Sequence, residues 1–245
     1  DMFLDDKGVF DSFSKRRIMN TGIIGMLYAH PASVDYSVFK YLTEKFPDDA
    51  VSWVIFGKLA SIYPENTSIH SFVIRTIISK KFSGSMVKQS IMQSRVILQQ
   101  REANLTNELK SNIEKTKKRI LSTKRKLRRV WDQIIRGNIK EMEVSIDSAY
   151  NSVEVNENDF NQLLIHYPNN RFVAKLFASF LIDIKCDYEK HAIWNERCKM
   201  LQHGITVVPD ITQELAFYAF PLLPPKVSNN SKVAMMQFES ESMIE

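Results

Sequence analysis

Apolar residues recur along this chain at helical rather than strand spacing. Three times the pattern is introduced by the same kind of tetrapeptide: Phe46-Pro47-Asp48-Asp49, Tyr63-Pro64-Glu65-Asn66 and Tyr167-Pro168-Asn169-Asn170. Each is an aromatic, a proline, an acid or amide, then Asp or Asn, and an apolar stretch follows each one. Val51, Val54, Ile55 and Leu59 follow the first; Ile69, Phe72, Val73 and Ile77 the second; Phe172, Val173, Leu176, Phe177, Phe180 and Leu181 the third. Steps of three and four place such residues on one helix face. Proline ends a preceding helix and is accepted near the first turn of the next, where its missing N–H is no loss. The polar residues after it suit free amides and the positive end of the helix dipole, and the aromatic before it can fold back as a staple. Pro47 and Pro64 lie 17 residues apart, half of the roughly 34-residue tetratricopeptide period. The pattern predicts helical repeats.

Between the second and third junctions, Ser85 to Arg136 contains neither Gly nor Pro. As one helix it would extend on the order of 75 Å at about 1.5 Å per residue. Leu98, Leu105, Leu109, Ile113, Ile120, Leu127 and Ile134 follow it at sevens and fours, a narrow coiled-coil-like stripe. Thr116 and Thr123 occupy its second position, which makes the seam weak. The stretch predicts a long helix packed along the repeats or against a partner, with a break near Asn104 to Asn107 as the alternative. Arg136-Gly137-Asn138 ends it. Ile139, Met142, Ile146 and Tyr150 start another helix, and Asn156 to Asp159 leads into Phe160, Leu163 and Leu164.

Further helices are predicted over Tyr188 to Leu201, stopped by Gly204, and from Pro209-Asp210 through Phe220. Near the start, Lys15 to Asn20 leading into Ile23 to Tyr28 predicts one more. Pro221 to Glu245 has little pattern and predicts an extended or disordered tail. The fold class is therefore all-α: tetratricopeptide-like helical repeats with a long basic amphipathic helix. Its expected segments are N-terminal repeats over 1–84, the basic helix or stalk over 85–137, C-terminal repeats over 138–220, and the tail over 221–245.

Composition supports this. A hydrophobic content of 44% supplies a core, whereas 7 Gly and 8 Pro leave little turn chemistry for an all-β chain. Cys186 and Cys198 make no disulfide framework, as expected in a reducing compartment. The longest apolar run, Ile18 to Ala29, falls short of the roughly 18 residues that a membrane span needs. The opening Asp1 and the polar run Glu239 to Ser242 lead us to expect a piece of a longer polypeptide.

Charge changes the picture at one place. The net charge is +5, yet Lys110 to Val130 alone holds ten Lys/Arg against Glu114, leaving the remainder mildly acidic. Lys117, Lys118, Arg119, Lys124, Arg125, Lys126, Arg128 and Arg129 are candidate contacts for an anionic partner, through phosphates of a membrane leaflet or of nucleic acid. The competing reading is a solvated helix face. Nucleic acid ranks below a membrane or an acidic protein, because no aromatic platform or zinc knuckle accompanies the charge.

Catalytic chemistry is not signalled. Cys186, His191, Cys198 and His203 have metal-ligating side chains at spacings that match no zinc motif. There is no glycine-rich phosphate loop and no nucleophile elbow; Ser83-Gly84-Ser85 reads as a turn. Glu141, Glu143 and Asp147 near Lys140 read as a solvated face. No catalytic residue, metal or cofactor is expected.

The densest stretch joins Trp131-Asp132, Gly137-Asn138, Tyr167-Pro168-Asn169-Asn170-Arg171-Phe172-Val173-Ala174-Lys175 and Phe177-Ala178-Ser179-Phe180-Leu181. It continues through Leu201-Gln202-His203-Gly204, Pro209-Asp210 and Phe220-Pro221. It resembles the intracellular helical-repeat region of the large multi-pass adenylate/guanylate cyclase-like proteins of parabasalid protists, over about Tyr36 to Pro224. The resemblance implies a parent that is an integral membrane protein, often with a cyclase domain outside this region, and a chain at the cytoplasmic face. It carries over no catalytic residue. The expected function is a non-catalytic regulatory and interaction scaffold. Its partners would be proteins or other domains of the parent, an anionic membrane surface, or a second copy through the long helix. An RNA-processing repeat scaffold and a small-molecule site between helices are the rivals.

Overall fold

A computed structural model of the chain describes residues 7–226, with side chains from Phe10 onward. These residues form eleven α-helices and no strand. The chain makes two compact units, one running to Leu98 and resuming at Asp210, the other Gln99–Pro209.

In the first unit, α1 (Lys15–Leu27), α2 (Pro31–Val34), α3 (Ser37–Lys45), α4 (Ala50–Ala60), α5 (Thr67–Ser79) and α6 (Ser85–Gln100) are joined by α11 (Ile211–Ala219). Helix α4 is apolar on most of its circumference and buries Trp53, Val54, Phe56, Leu59 and Ala60, as a central helix must. Phe56 packs between Tyr36 and Phe39 of the α3 region. Helix α1 comes close to α3 because it carries Gly22, where a Cβ would lie 2.8 Å from the Phe39 ring. His70 of α5 and Ser94 of α6 share a buried hydrogen bond of 2.9 Å.

The aromatic-Pro junctions share one backbone turn. The amide of the fourth residue donates to the carbonyl of the aromatic in each: Asp49 to Phe46, Asn66 to Tyr63, Asn170 to Tyr167. Proline thus sits inside the turn rather than in the helix that follows, suiting the fixed φ that the second turn position requires. The fourth residue is then the N-cap. Asp49 Oδ2 accepts from the Ser52 amide at 2.9 Å, and Asn170 Oδ1 accepts from the Phe172 and Val173 amides. Burial opposes ionisation of Asp49, but hydrogen bonds from Lys15 and Ser52 prevail and hold its carboxyl below its ordinary value. Asn66 departs from the pattern: it caps nothing, and its amide donates to the Tyr36 hydroxyl. Phe220-Pro221 makes a fourth such turn, with the Leu223 amide on the Phe220 carbonyl.

The second unit contains α7 (Asn107–Arg136), α8 (Ile139–His166), α9 (Arg171–Asp183) and α10 (Tyr188–Gln202). An uninterrupted helix over 85–137 does not form; the chain breaks over 101–106. Two local devices end one helix and start the next. The Asn104 amide donates to the Glu102 carboxylate, and Thr106 caps α7 by accepting from the Leu109 amide. The units also divide the chain differently from the expected segments. The 85–137 stretch is split at Leu98, and α11 belongs with the first unit. Apolar packing accounts for the second difference: Ala216, Phe217, Phe220 and Leu223 lie on the cluster containing Tyr63, and the Tyr63 hydroxyl donates to the Pro224 carbonyl at 2.9 Å. Leu223 is therefore buried and Pro224 is held by a hydrogen bond, within the segment expected as a tail; residues 227–245 lie outside the described residues.

Candidate functional site

Helices α7 and α8 form an antiparallel hairpin. Gly137, at φ +71°, closes α7 with a left-handed cap, and only Asn138 separates it from α8. Contacts descend one helix as they climb the other: Leu109 and Ile113 cluster with Leu163 and Tyr167, Thr123 bonds Ser152 and Asn156, and Gln133 bonds Ser145. The two threonines that weaken the sequence stripe are buried in this seam. Thr123 Oγ1 donates to the Arg119 carbonyl and accepts from Asn156 Nδ2 at 2.7 Å, with Ser152 Oγ also 2.7 Å away. Hydrogen bonding thus replaces apolar packing in the half of the seam nearer the Gly137 turn.

Helical periodicity gives the hairpin two faces beside the seam. On the front face Ile120, Val153, Phe160 and Leu164 pack with Phe177, Phe180, Leu181 and Ile184 of the α9 segment. Ion pairs hold the end of α9 to both walls of this groove: Lys124 of α7 to Asp183 at 2.8 Å, and Glu157 of α8 to Lys185 at 2.6 Å. On the back face Arg119 pairs with Asp159, and Lys126 Nζ donates to the Ser148 carbonyl.

The eight candidate basic residues consequently separate into two groups. Lys117 pairs with Glu114, while Arg119, Lys124 and Lys126 are bonded within the unit. Lys118, Arg125, Arg128 and Arg129 make no ion pair among the described residues and are exposed. Lys118, Arg125, Arg129 and Arg136 follow one another at steps of seven, four and seven, which aligns them on a ridge opposite the seam. This ridge presents a row of positive charge to solvent.

A feature that charge counting did not reveal lies at the hairpin turn. Trp131 is 65% exposed, Ile135 81%, Ile139 75% and Tyr150 70%. The signal was available in part: Ile139, Met142, Ile146 and Tyr150 mark a helix face in the sequence, but nothing local says whether that face is covered. Elsewhere in the unit, Leu164, Ile165, Trp194, Leu201, Val207 and Val208 line a groove of about 510 Å³. Asn169 holds its 207–208 edge by accepting from both amides and donating to the Val208 carbonyl.

The residues considered for metal or nucleophilic chemistry are not assembled. Among the described residues no three His, Cys, Asp or Glu side chains are grouped to hold a metal ion. His191 Nδ1 lies 2.8 Å from the Ala178 carbonyl, Cys186 is exposed, and burial pushes the Cys198 thiol up, away from thiolate chemistry. No helix of the described residues is long and apolar enough to cross a membrane. No family model matches the chain, and no curated protein or solved structure matches it. Class therefore rests on the architecture: all-α over the described residues, with a charged antiparallel hairpin in the second unit.

Proposed function

We propose that this chain is a non-catalytic interaction scaffold: a regulatory segment of a larger, membrane-associated nucleotide cyclase-like signalling protein, acting at its cytoplasmic face. The observation that carries the scaffold reading is the ridge Lys118, Arg125, Arg129 and Arg136, exposed and without an intramolecular ion pair among the described residues. Exposed Lys and Arg need no partner within the chain, so the support lies in the alignment of four of them on one ridge, which concentrates positive potential there. The cyclase context is carried only by the sequence resemblance over about Tyr36 to Pro224, which is most specific over Trp131 to Pro221. The tetratricopeptide-like reading draws support from the shared turn that opens α4 and α9, each followed by a second helix packed on the first. The same ridge also favours the rival RNA scaffold, because phosphate charge is what both surfaces share.

Binding of the full chain to phosphatidylserine vesicles and to single-stranded RNA tests this. Vesicle binding is expected at low salt and is expected to be lost near 0.5 M salt, where the screening length falls to roughly 4 Å. A Lys118→Gln, Arg125→Gln, Arg129→Gln, Arg136→Gln variant should lose it while keeping its helicity, since Gln is a comparable helix former. RNA binding tighter than vesicle binding at equal salt would favour the RNA scaffold. Binding to neither would remove the anionic-contact role, and cyclic nucleotide production from ATP or GTP with manganese would overturn the non-catalytic reading.

A further inference from the structure

The front face of the hairpin is only half covered. Along α8, Ile139, Met142, Ile146, Tyr150, Val153, Glu157, Phe160 and Leu164 succeed one another at steps of three or four, so they form one line on one face. Along α7 the same face carries Ile120, Lys124, Trp131 and Ile135. The α9 segment covers the end of this groove that contains Ile120, Val153, Phe160 and Leu164. Past the Lys124–Asp183 and Glu157–Lys185 pairs the groove continues to the Gly137 turn, and there its apolar residues lie open. The open part, from Ile139 to Tyr150, is about 17 Å long, or about three helical turns.

Resting on the scaffold reading, we propose that this open half is a docking groove for an amphipathic helix of a partner protein, which lies end to end with α9 along the same pair of helices. Two observations select that occupant. The groove continues one that already holds a helix, so its width and curvature are those of a helix seat. Its walls also differ in charge. Arg128 stands one turn beyond Lys124 on the α7 side, with Asp132 one turn further; Glu143, Asp147 and Glu154 outnumber Lys140 on the outer part of α8, and all six are exposed with no ion pair among the described residues. The end of α9 meets this arrangement with an acid towards α7 and a base towards α8. The partner helix is expected to repeat it: apolar on one face, acidic on one flank and basic on the other. A lipid surface or an RNA offers a single sign of charge and would meet the acidic wall with repulsion.

The test uses the full chain and a fluorescein-labelled 18-residue helical peptide with leucines along one face, glutamates on one flank and lysines on the other. Fluorescence anisotropy is expected to show saturable binding at micromolar concentration, at least tenfold weaker when both flanks are lysine. An Ile135→Asp, Ile139→Asp variant should lose at least tenfold in affinity with unchanged circular dichroism, because both positions are exposed in the free chain. Arg128→Glu should weaken the mixed-flank peptide and strengthen the all-lysine one, an inversion that loss of structure would not produce. The proposal fails if the mixed peptide does not bind, or if it binds the aspartate variant equally well. Vesicle binding that depends on Ile135 and Ile139 would assign the face to lipid. Dimerisation in sedimentation that the aspartate variant abolishes would assign it to a second copy. The Lys118, Arg125, Arg129, Arg136 ridge measurement leaves Arg128, Ile135 and Ile139 untouched, so loss of anionic binding and loss of peptide binding separate the two proposals.

Discussion

Asn170 is fully buried, and both ends of its amide are used. Its oxygen caps α9, while Nδ2 donates to the carbonyls of Glu102 at 3.0 Å and Asn104 at 3.1 Å. The residue therefore starts one helix and holds the 101–106 connection that precedes α7. Asn170→Asp preserves the cap but turns a second acceptor towards two carbonyls, leaving them unsatisfied beside a buried charge. The expected cost is about 2–4 kcal/mol, larger than for Asn170→Ala, measured as a lower urea midpoint. On helix-capping preference alone the aspartate would be nearly silent, so the order of the two variants decides between a cap and a bracket. The capping half of this role was legible in the sequence, because a polar residue three positions after an aromatic-Pro step has a local reason to be there. The bracketing half was not, since its partners lie 66 and 68 positions away. Asn66 shows the converse: the same motif position, with its side chain taken up by Tyr36 instead.

Among elements, the α7–α8 hairpin shows where a stripe of apolar residues informs and where it does not. Of the positions read from steps of seven and four, Leu109 and Ile113 are buried in the seam, whereas Leu105 and Ile134 are exposed and Ile120 lies on the front face against the α9 segment. The weakness assigned to Thr116 and Thr123 does not follow, because a threonine in a seam is weak only without a partner. Asn156 and Ser152, on a helix not yet placed by the sequence, supply that partner for Thr123. Thr123→Val should leave the Asn156 amide without its acceptor and lower stability by about 1–3 kcal/mol. Replacing the whole cluster, as Thr123→Val, Ser152→Ala and Asn156→Leu, should recover most of that loss, because an apolar seam needs no hydrogen bonds. Thermal melts of the two variants against the parent chain make the comparison. The break over 101–106 was legible as an alternative, since Asn104 and Thr106 are residues that end and start helices. Which alternative prevails was not, because that depends on Asn170.

For the whole molecule, the two units make unequal demands on the chain. Gln99–Pro209 is continuous, whereas the first unit needs residues from both sides of it. A fragment covering 99–209 is expected to fold alone, with a cooperative melt and the helicity of α7 to α10. A fragment ending at Leu98 lacks Ala216, Phe217, Phe220 and Leu223, which cover the Tyr63 cluster. It should bind a hydrophobic dye and melt broadly, and adding residues 210–226 through a short linker should restore a sharp transition. Equal stability of the two fragments would contradict the division. Helical class was plain from spacing and composition, but this division was not. Nothing in the α11 sequence itself shows that it belongs with helices more than a hundred residues earlier.

That discontinuity also sets an order of events on the ribosome. The Tyr63 cluster is synthesised early, yet the residues that close over it come only after all of Gln99–Pro209 has been made. At typical elongation of about 5–20 residues per second, the wait is on the order of 10 s, long compared with the microseconds in which helices form. The second unit can finish folding while the first still shows bare apolar surface to the crowded space outside the exit tunnel. Nascent chains stalled just before Asp210 should therefore recruit chaperones, and chains stalled far enough beyond Lys226 for that residue to clear the tunnel should release them.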